Sequence, residues 1–344
     1  MTDITVTDER LYKLTDQLVT QAGFSGDINL CPIKGGANNR VYKVGCDAVN
    51  LLLKVYFQHS SDTRDRLGAE FIFCRYAWEK GIRIVPQPLA CDTENGLALY
   101  EWVDGRSLGL GEVLAGHVRQ ALDFFIDLNY DRHDAAGLPV ASEACFSFSE
   151  HLQIVERRIE RLMSMEAESD IDREAHTFIS GVLRKMWQKT RDSVLEQTVR
   201  LGYDVDAPVD RSDRCVSPSD FGFHNAIVTA DGRLCFVDFE YAGWDDPAKL
   251  VCDFFCQPAV PVPFDFYEEF SEGVARITEH AGYHLKRFET LLPVYQIKWT
   301  CIMLNEFLLA GNVRRQFARG KQGDNRKRRQ LEKAAAFLKR SLRI

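Results

Sequence analysis

The sequence predicts an α+β protein built as two unequal lobes, a small β-rich N-lobe over residues 1–103 and a larger helical C-lobe over 104–344. Three observations carry the prediction. At 344 residues the chain exceeds the ~250–300 residues at which a single core stops growing. Apolar runs of strand length, punctuated by Gly, Asn and Asp, crowd the first hundred residues. Beyond Asp104-Gly105 the periodicity turns helical, with no proline in 111–128 or 149–200.

In chain order, residues 7–22 read as an amphipathic helix ending near Gly23. Ile33 leads into a glycine turn over 34–39, the alternating Arg40-Val41-Tyr42-Lys43-Val44 follows, and a turn at Gly45-Cys46-Asp47 leads to the apolar run Val49 to Tyr56. Three such strands make a meander. Residues 62–80 read as a helix from an Asp62 cap to Gly81. Val85 to Ala90 and Gly96 to Trp102 are two further strands around the turn Asp92-Thr93-Glu94-Asn95. A second β segment runs from Cys215 to Glu240, with Ala226-Ile227-Val228 and Leu234 to Val237 flanking a turn at Asp231-Gly232. Past the loop of Pro258, Pro261 and Pro263 the chain is helical to its end.

Composition narrows the function classes. Hydrophobic residues at 45% and charged residues at 27% fit a soluble globular protein rather than a disordered one. No uncharged apolar run approaches the ~18 residues of a membrane helix, and the first ten residues lack the basic and apolar regions of a signal peptide. Ten cysteines without a Cys-x-x-Cys pair exclude the common zinc knuckles, so the expectation is a reduced, cytoplasmic protein with no membrane partner. The net charge is −7, yet residues 311–344 hold twelve Lys and Arg against Asp324 and Glu332. Such a tail can bind polyanions, but Leu331, Ala335, Leu338 and Leu342 recur at helical spacing and favour a solvated final helix. The acidity of the rest argues against nucleic acid as a partner.

Four chemical signals follow one another along the chain. Gly35-Gly36 lies between two strands, where backbone N–H groups can approach phosphate oxygens, although any hairpin also suits glycine. Lys54 sits inside Leu-Leu-Leu-Lys-Val-Tyr, where its charge is costly unless matched by Glu70 on the next helix and by a phosphate; the alternative is an edge lysine that reaches water. Asp220 precedes Asn225 by five residues, a spacing that lets Asp220 face a hydroxyl nucleophile while Asn225 turns its amide oxygen to a metal. Asp238 ends the apolar run Leu234 to Val237, where a carboxylate could complete a Mg²⁺ site. Asp220-Phe221-Gly222 spells a kinase metal-binding triad, but no upstream Asp has an Asn five residues on, so Asp220 is read as the base and Asp238 as the metal ligand.

With these residues the chain resembles the aminoglycoside phosphotransferase and choline kinase family, the small-molecule branch of the protein-kinase-like fold. The likeness runs through Gly-Gly-Ala-Asn-Asn-Arg-Val-Tyr-Lys-Val (35–44), Leu-Lys-Val (53–55), Arg66 to Glu70, Tyr100 to Gly105, Asp220 to Asn225, and Val237 to Pro247. The resemblance implies a bilobal protein-kinase-like fold, with ATP and Mg²⁺ as cofactors and a small-molecule hydroxyl as acceptor. It implies that Gly35, Gly36 and Asn38 line the nucleotide, that Lys54 and Glu70 form the phosphate-positioning pair, and that Glu101 and Val103 meet adenine. Asp220 would be the base, and Asn225 and Asp238 the metal ligands. Three departures stand out: Pro218-Ser219 replaces the usual His-Gly, Leu250 replaces an Asp with Asp253 three residues on, and Leu128-Asn129 replaces a Leu-His pair.

His224 reads as packing rather than as a substrate contact, and Phe254, Phe255, Phe264, Phe266 and Tyr267 as core rather than as a cage for a quaternary ammonium. The expected activity is transfer of a phosphoryl group from ATP to an aminoglycoside, amino alcohol or sugar. The rival is a nucleotide-binding pseudokinase, against which Lys54, Glu70, Asp220, Asn225 and Asp238 all stand intact. A protein kinase is disfavoured because Asp238 follows Asn225 by only thirteen positions, too few for a peptide-docking segment.

Overall fold

The computed structural model describes residues 8–33, 39–58, 64–308 and 324–341. Five antiparallel strands, β1 (Ile28–Ile33), β2 (Arg40–Cys46), β3 (Val49–Val55), β4 (Pro88–Asp92) and β5 (Leu97–Glu101), form one sheet in the order β1-β2-β3-β5-β4. One face is covered by α1 (Asp8–Gln21), whose Leu11, Leu18 and Val19 pack with Leu51, Leu53, Leu97 and Leu99 of the sheet. The other carries α2 (Arg66–Glu79), whose Phe73, Ala77 and Tyr76 join a core continuous with the helical part. Apolar side chains must therefore alternate along β3 and β5 to serve both layers.

Two boundaries differ from the sequence reading. α2 is capped by Asp65, which accepts from the Gly68 N–H at 2.8 Å, while the expected cap Asp62 lies outside the described residues. β4 starts at Pro88 rather than Val85, because the Val85 carbonyl accepts from Trp78 Nε1 at 3.0 Å and Pro86 has no N–H to pair.

The chain crosses to the helical part at Gly105. A Cβ there would stand 2.4 Å from the Val228 carbonyl oxygen, so only glycine permits β6 (Arg106–Ser107) to reach its partner strand. β6 pairs with β8 (Ala226–Val228), which pairs with β9 (Leu234–Phe236), while β7 (Cys215–Ser217) pairs with β10 (Gly243–Asp245). Around these lie α3 (Ala115–Asn129), α4 (Phe148–Met163), α5 (Asp170–Phe178), α6 (Arg184–Leu201), α7 (Pro247–Cys256), α8 (Tyr267–Ala275), α9 (Ala281–Met303) and α10 (Asp324–Ser341).

The expected helical stretch 149–200 is interrupted at 164–169. Ser169 and Asp172 form a capping box that restarts the chain as α5, and a π turn at Ile179–Leu183 joins it to α6. The described part of the basic tail is not simply solvated. Leu331, Ala334 and Leu338 are buried, and Lys327 and Arg328 reach Asp172 and Glu174 of α5 at 2.8 and 3.2 Å. All ten cysteines are free, and no described helix is long and apolar enough to cross a membrane.

Candidate active site

Lys54 faces the junction of the two parts. Its Nζ donates to both Glu70 oxygens at 2.8 and 2.7 Å and to Asp238 Oδ1 at 2.7 Å. Lys54 and Glu70 are 6% and 4% exposed, so the pair is a buried one. Tyr56 OH donates to Glu70 Oε2 at 2.7 Å and meets Tyr100 OH at 2.9 Å. Burial alone would lower the Lys54 pKa, but the carboxylates of Asp238, Glu70 and Glu240 outweigh it and hold the ammonium charged. Burial raises the Glu70 carboxyl above its ordinary value, with Lys54 opposing. An edge lysine reaching water is thereby excluded.

A second tie spans the same junction. Arg66 Nη1 of α2 reaches Glu240 Oε1 at 2.7 Å, and Asn39 Nδ2 donates to Glu240 Oε2, also at 2.7 Å. Both oxygens of one buried carboxylate thus hold two segments of the sheet region. The Phe236 N–H adds a bond to the Ile84 carbonyl at 2.8 Å.

Asp220 lies beyond β7 in a loop whose shape the substituted residues explain. Ser219 adopts φ +65°, a left-handed backbone glycine would favour. It is held there by two bonds: its N–H donates to Ser217 Oγ at 3.0 Å, and its Oγ accepts from Lys249 Nζ at 2.9 Å. Asn129 at the end of α3 accepts from the Val216 N–H at 2.8 Å and donates to the Val216 carbonyl at 3.0 Å, pinning β7. Pro218-Ser219 and Leu128-Asn129 therefore preserve an ordered loop by different bonds. Leu250 is core, and Asp253 is instead clasped by Lys298 Nζ at 3.0 and 2.9 Å and by Trp299 Nε1 at 2.8 Å.

The Asp220 carboxylate meets His224 Nε2 at 3.2 Å, and Asn225 Nδ2 donates to the Asp220 carbonyl at 3.0 Å. Burial would raise the Asp220 pKa, but His224, Lys249 and Asn225 outweigh it and keep the carboxyl below its ordinary value. His224 is thus more than packing. The Asn225 carbonyl accepts from the Val237 N–H at 2.9 Å, which brings Asn225 beside Asp238. Asp238 takes φ +71°, a strained conformation for a non-glycine residue. Because Asn225 Nδ2 is engaged, its Oδ1 remains an acceptor; that oxygen and a carboxylate are the hard donors a Mg²⁺ ion prefers.

Glu101 closes β5, its N–H donating to the Gln87 carbonyl at 2.9 Å, and Val103 follows in the half-buried crossing segment. Gly35, Gly36 and Asn38 lie outside the described residues. The rings Phe254, Phe255, Phe264 and Tyr267 pack on one another, Phe255 edge-on to Phe254 and to Phe264, and Phe264 stacked on Tyr267 at 4.7 Å, and none lines the cavity at Asp220.

Sequence reasoning missed the support behind this hairpin. Asp246 caps α7 through the Ala248 N–H at 2.7 Å and also accepts from Arg287 Nη2 at 2.6 Å and His151 Nε2 at 3.0 Å, all fully buried. Burial would raise its pKa; Arg287 and His151 hold it far below the carboxylate range. Beside it burial lifts Asp245 to about 6 although Lys249 stands at 2.6 Å. The Asp-Asp-Pro run signals the cap, but its partners come from α4 and α9, a hundred residues before and forty after.

A cavity of about 400 Å³ opens directly on Asp220, lined also by Ser219, His224, Lys249, Arg158 and Trp299.

Residues 29–284 match the model of the phosphotransferase enzyme family. No curated protein matches the chain. Among solved structures, a choline kinase from Cryptosporidium parvum superposes with TM-score 0.58 at 13% identity, covering 97% of each chain. A spectinomycin phosphotransferase in complex with ADP and spectinomycin gives 0.58 at 12%, covering 97% of this chain and 99% of that one. An amicoumacin kinase in complex with AMP-PNP and Ca²⁺ gives 0.52 at 14%, covering 97% and 94%. The shared fold is the protein-kinase-like one.

Proposed function

The chain belongs to the phosphotransferase enzyme family and is a small-molecule kinase, and from that premise we propose that it transfers the γ-phosphoryl group of ATP, with Mg²⁺, to a hydroxyl of a small molecule. The observation that carries the reading is the convergence of Lys54, Glu70 and Asp238 from three separate elements, within 2.8 Å of one ammonium. The nucleotide complexes of the spectinomycin and amicoumacin enzymes support a nucleotide in this cleft.

In this reading Lys54, oriented by Glu70, donates to phosphate oxygens, and Glu101 and Val103 offer backbone groups to adenine. Asp238 and Asn225 would hold Mg²⁺, which when bound supplies charge neutralisation at the phosphates. Asp220, kept ionised by His224 and Lys249, accepts the acceptor's proton as the new O–P bond forms and the γ-phosphorus bond to the β–γ bridging oxygen breaks, releasing ADP. Asn225 fixes the Asp220 backbone, so the carboxylate needs no rearrangement at the moment of transfer. Catalysis is mostly positioning and charge offset.

The acceptor classes that the family likeness suggested were an aminoglycoside, an amino alcohol or a sugar-type molecule. The test is acceptor-dependent ADP release with ATP and Mg²⁺. Asp220→Asn should cut turnover about 10²-fold or more while nucleotide affinity holds. Near wild-type turnover in that variant removes Asp220 as the base.

A further inference from the structure

The cavity beside Asp220 is cationic, in a protein whose net charge is −7. Its walls present Arg64, Arg158, Arg161, Lys249 and Lys298 against Asp220, Asp253 and Glu143. Which of these charges is already spent decides what the cavity can take. Lys249 is matched by Asp245 at 2.6 Å, and Lys298 and Asp253 match each other at 2.9 Å. Glu143 is clasped by Arg158; burial opposes its ionisation, yet that guanidinium holds its pKa at about 2.

Among the described residues lining the cavity, no uncommitted carboxylate is then left for an ammonium except Asp220, the proposed base. The aromatic cluster of α7 and α8 lies off this cavity, and the described Tyr and Trp rings that line it are engaged, Tyr241 by the Arg66 guanidinium 5.0 Å from its centroid and Trp299 through its Nε1 bond to Asp253.

Positive capacity, by contrast, is left over. Arg161, on the last turn of α4, has no carboxylate partner among the described residues. Arg158 is only 8% exposed, yet its Nε–H has no hydrogen-bond partner. Gln257, also buried, turns its Oε1 to the Ala259 and Val260 N–H groups at 3.0 and 3.1 Å, which leaves its NH₂ to the cavity it lines.

We propose that the acceptor is an anionic alcohol, a hydroxylated molecule of monosaccharide size bearing a carboxylate or phosphate that seats on Arg161 and Arg158 while its hydroxyl meets Asp220. Guanidinium forks suit both anions, and α4 is the element that sets the distance between anion and hydroxyl. The proposal rests on the reading of Asp220 as the base of a kinase.

The test measures binding and ADP release together, on the full chain with ATP analogue or ATP and Mg²⁺. The probes are a sugar acid (glucuronate), a sugar phosphate (glucose 6-phosphate), a neutral sugar (glucose) and an amino sugar (glucosamine). One of the two anionic probes should bind and stimulate ADP release above glucose and glucosamine, and which one does distinguishes carboxylate from phosphate. Arg161→Glu should weaken that binding about tenfold or more and Arg161→Lys less, with melting temperatures near wild type because the side chain is exposed. Failure of both anions to bind at millimolar concentration, or binding undiminished in Arg161→Glu, overturns the proposal. Turnover of glucosamine alone overturns it and leaves the kinase reading standing. Arg161-dependent anion binding with no ADP release from any probe overturns the proposal that this site seats the acceptor for Asp220, and leaves it an anion site only.

Discussion

Replacing Lys54 by Met separates the structural and chemical uses of one ammonium. The side chain keeps its packing length, but Glu70, 4% exposed, loses two of its three hydrogen bonds and all of its nearby countercharge, retaining only the Tyr56 hydroxyl. A buried carboxylate in that position takes up a proton rather than stay charged. Protonating a group of ordinary pKa 4.5 at neutral pH spans about 2.5 pH units at about 1.4 kcal/mol each, which limits the loss of stability at pH 7 to about 3.5 kcal/mol. The sign follows from linkage. The variant raises the folded pKa of Glu70 above its unfolded value, so the folded state binds more protons and the penalty grows as pH rises above the unfolded pKa. At pH 5 the same reasoning leaves under about 1 kcal/mol. Turnover should fall about 10²–10³-fold at every pH, because a preorganised charge contact to phosphate is gone. Unfolding of Lys54→Met and of Lys54→Met/Glu70→Gln at pH 5 and 7.5, with ADP release on the same preparations, reads both effects. The double variant should regain most of the stability and none of the turnover. A pH-independent loss, or a Glu70→Gln change that rescues nothing, refutes the account.

Three further outcomes are expected. Asp238→Ala should abolish Mg²⁺-dependent nucleotide binding and Asn225→Ala weaken it less, since a carboxylate carries full charge and an amide does not; titration calorimetry with and without Mg²⁺ checks this, and unaltered Mg²⁺ dependence in both variants removes the assignment. Asp246→Ala leaves Arg287 fully buried without its carboxylate, with only the Tyr283 hydroxyl and the Phe148 ring in contact, so a loss of about 3–5 kcal/mol is expected at pH 7. The Asp246 pKa is depressed in the folded state, so that stabilisation is whole above the unfolded pKa and is lost as pH falls below it; a variant as stable as wild type at pH 7 contradicts the network. Because His224 and its neighbours hold the Asp220 pKa low, kcat/KM should stay flat down to about pH 5, and His224→Phe should move the acid limb upward; a limb unmoved by the variant removes His224 from the base's support.

Lys54 and Glu70 could be paired from the sequence because burial leaves a lysine in an apolar strand few choices of partner, and the next helix offers one at the right place. Asp220, Asn225 and Asp238 were legible for a similar reason: a short hairpin brings residues near in sequence near in space, so spacing stands in for geometry. Their roles rest on the proposed chemistry, whereas their convergence is a matter of distance. The strand pattern of the sheet was legible through alternation, and the boundaries missed were those that local bonds set, the α2 cap at Asp65 and the β4 start after Pro86.

What the sequence determined by itself was local: periodicity, punctuation and a catalytic-type hairpin of known spacing. Only the tertiary structure decided which charges remain uncommitted. Ser219 holds a left-handed backbone because Lys249 arrives from α7, and Asp246 is an anion because Arg287 and His151 arrive from α9 and α4. The chain as a whole is acidic, yet the cavity beside Asp220 is lined by Arg158 and Arg161 of α4 and by Arg64. Net charge sums over the surface, while a ligand responds to the few groups within a Debye length that burial leaves unpaired.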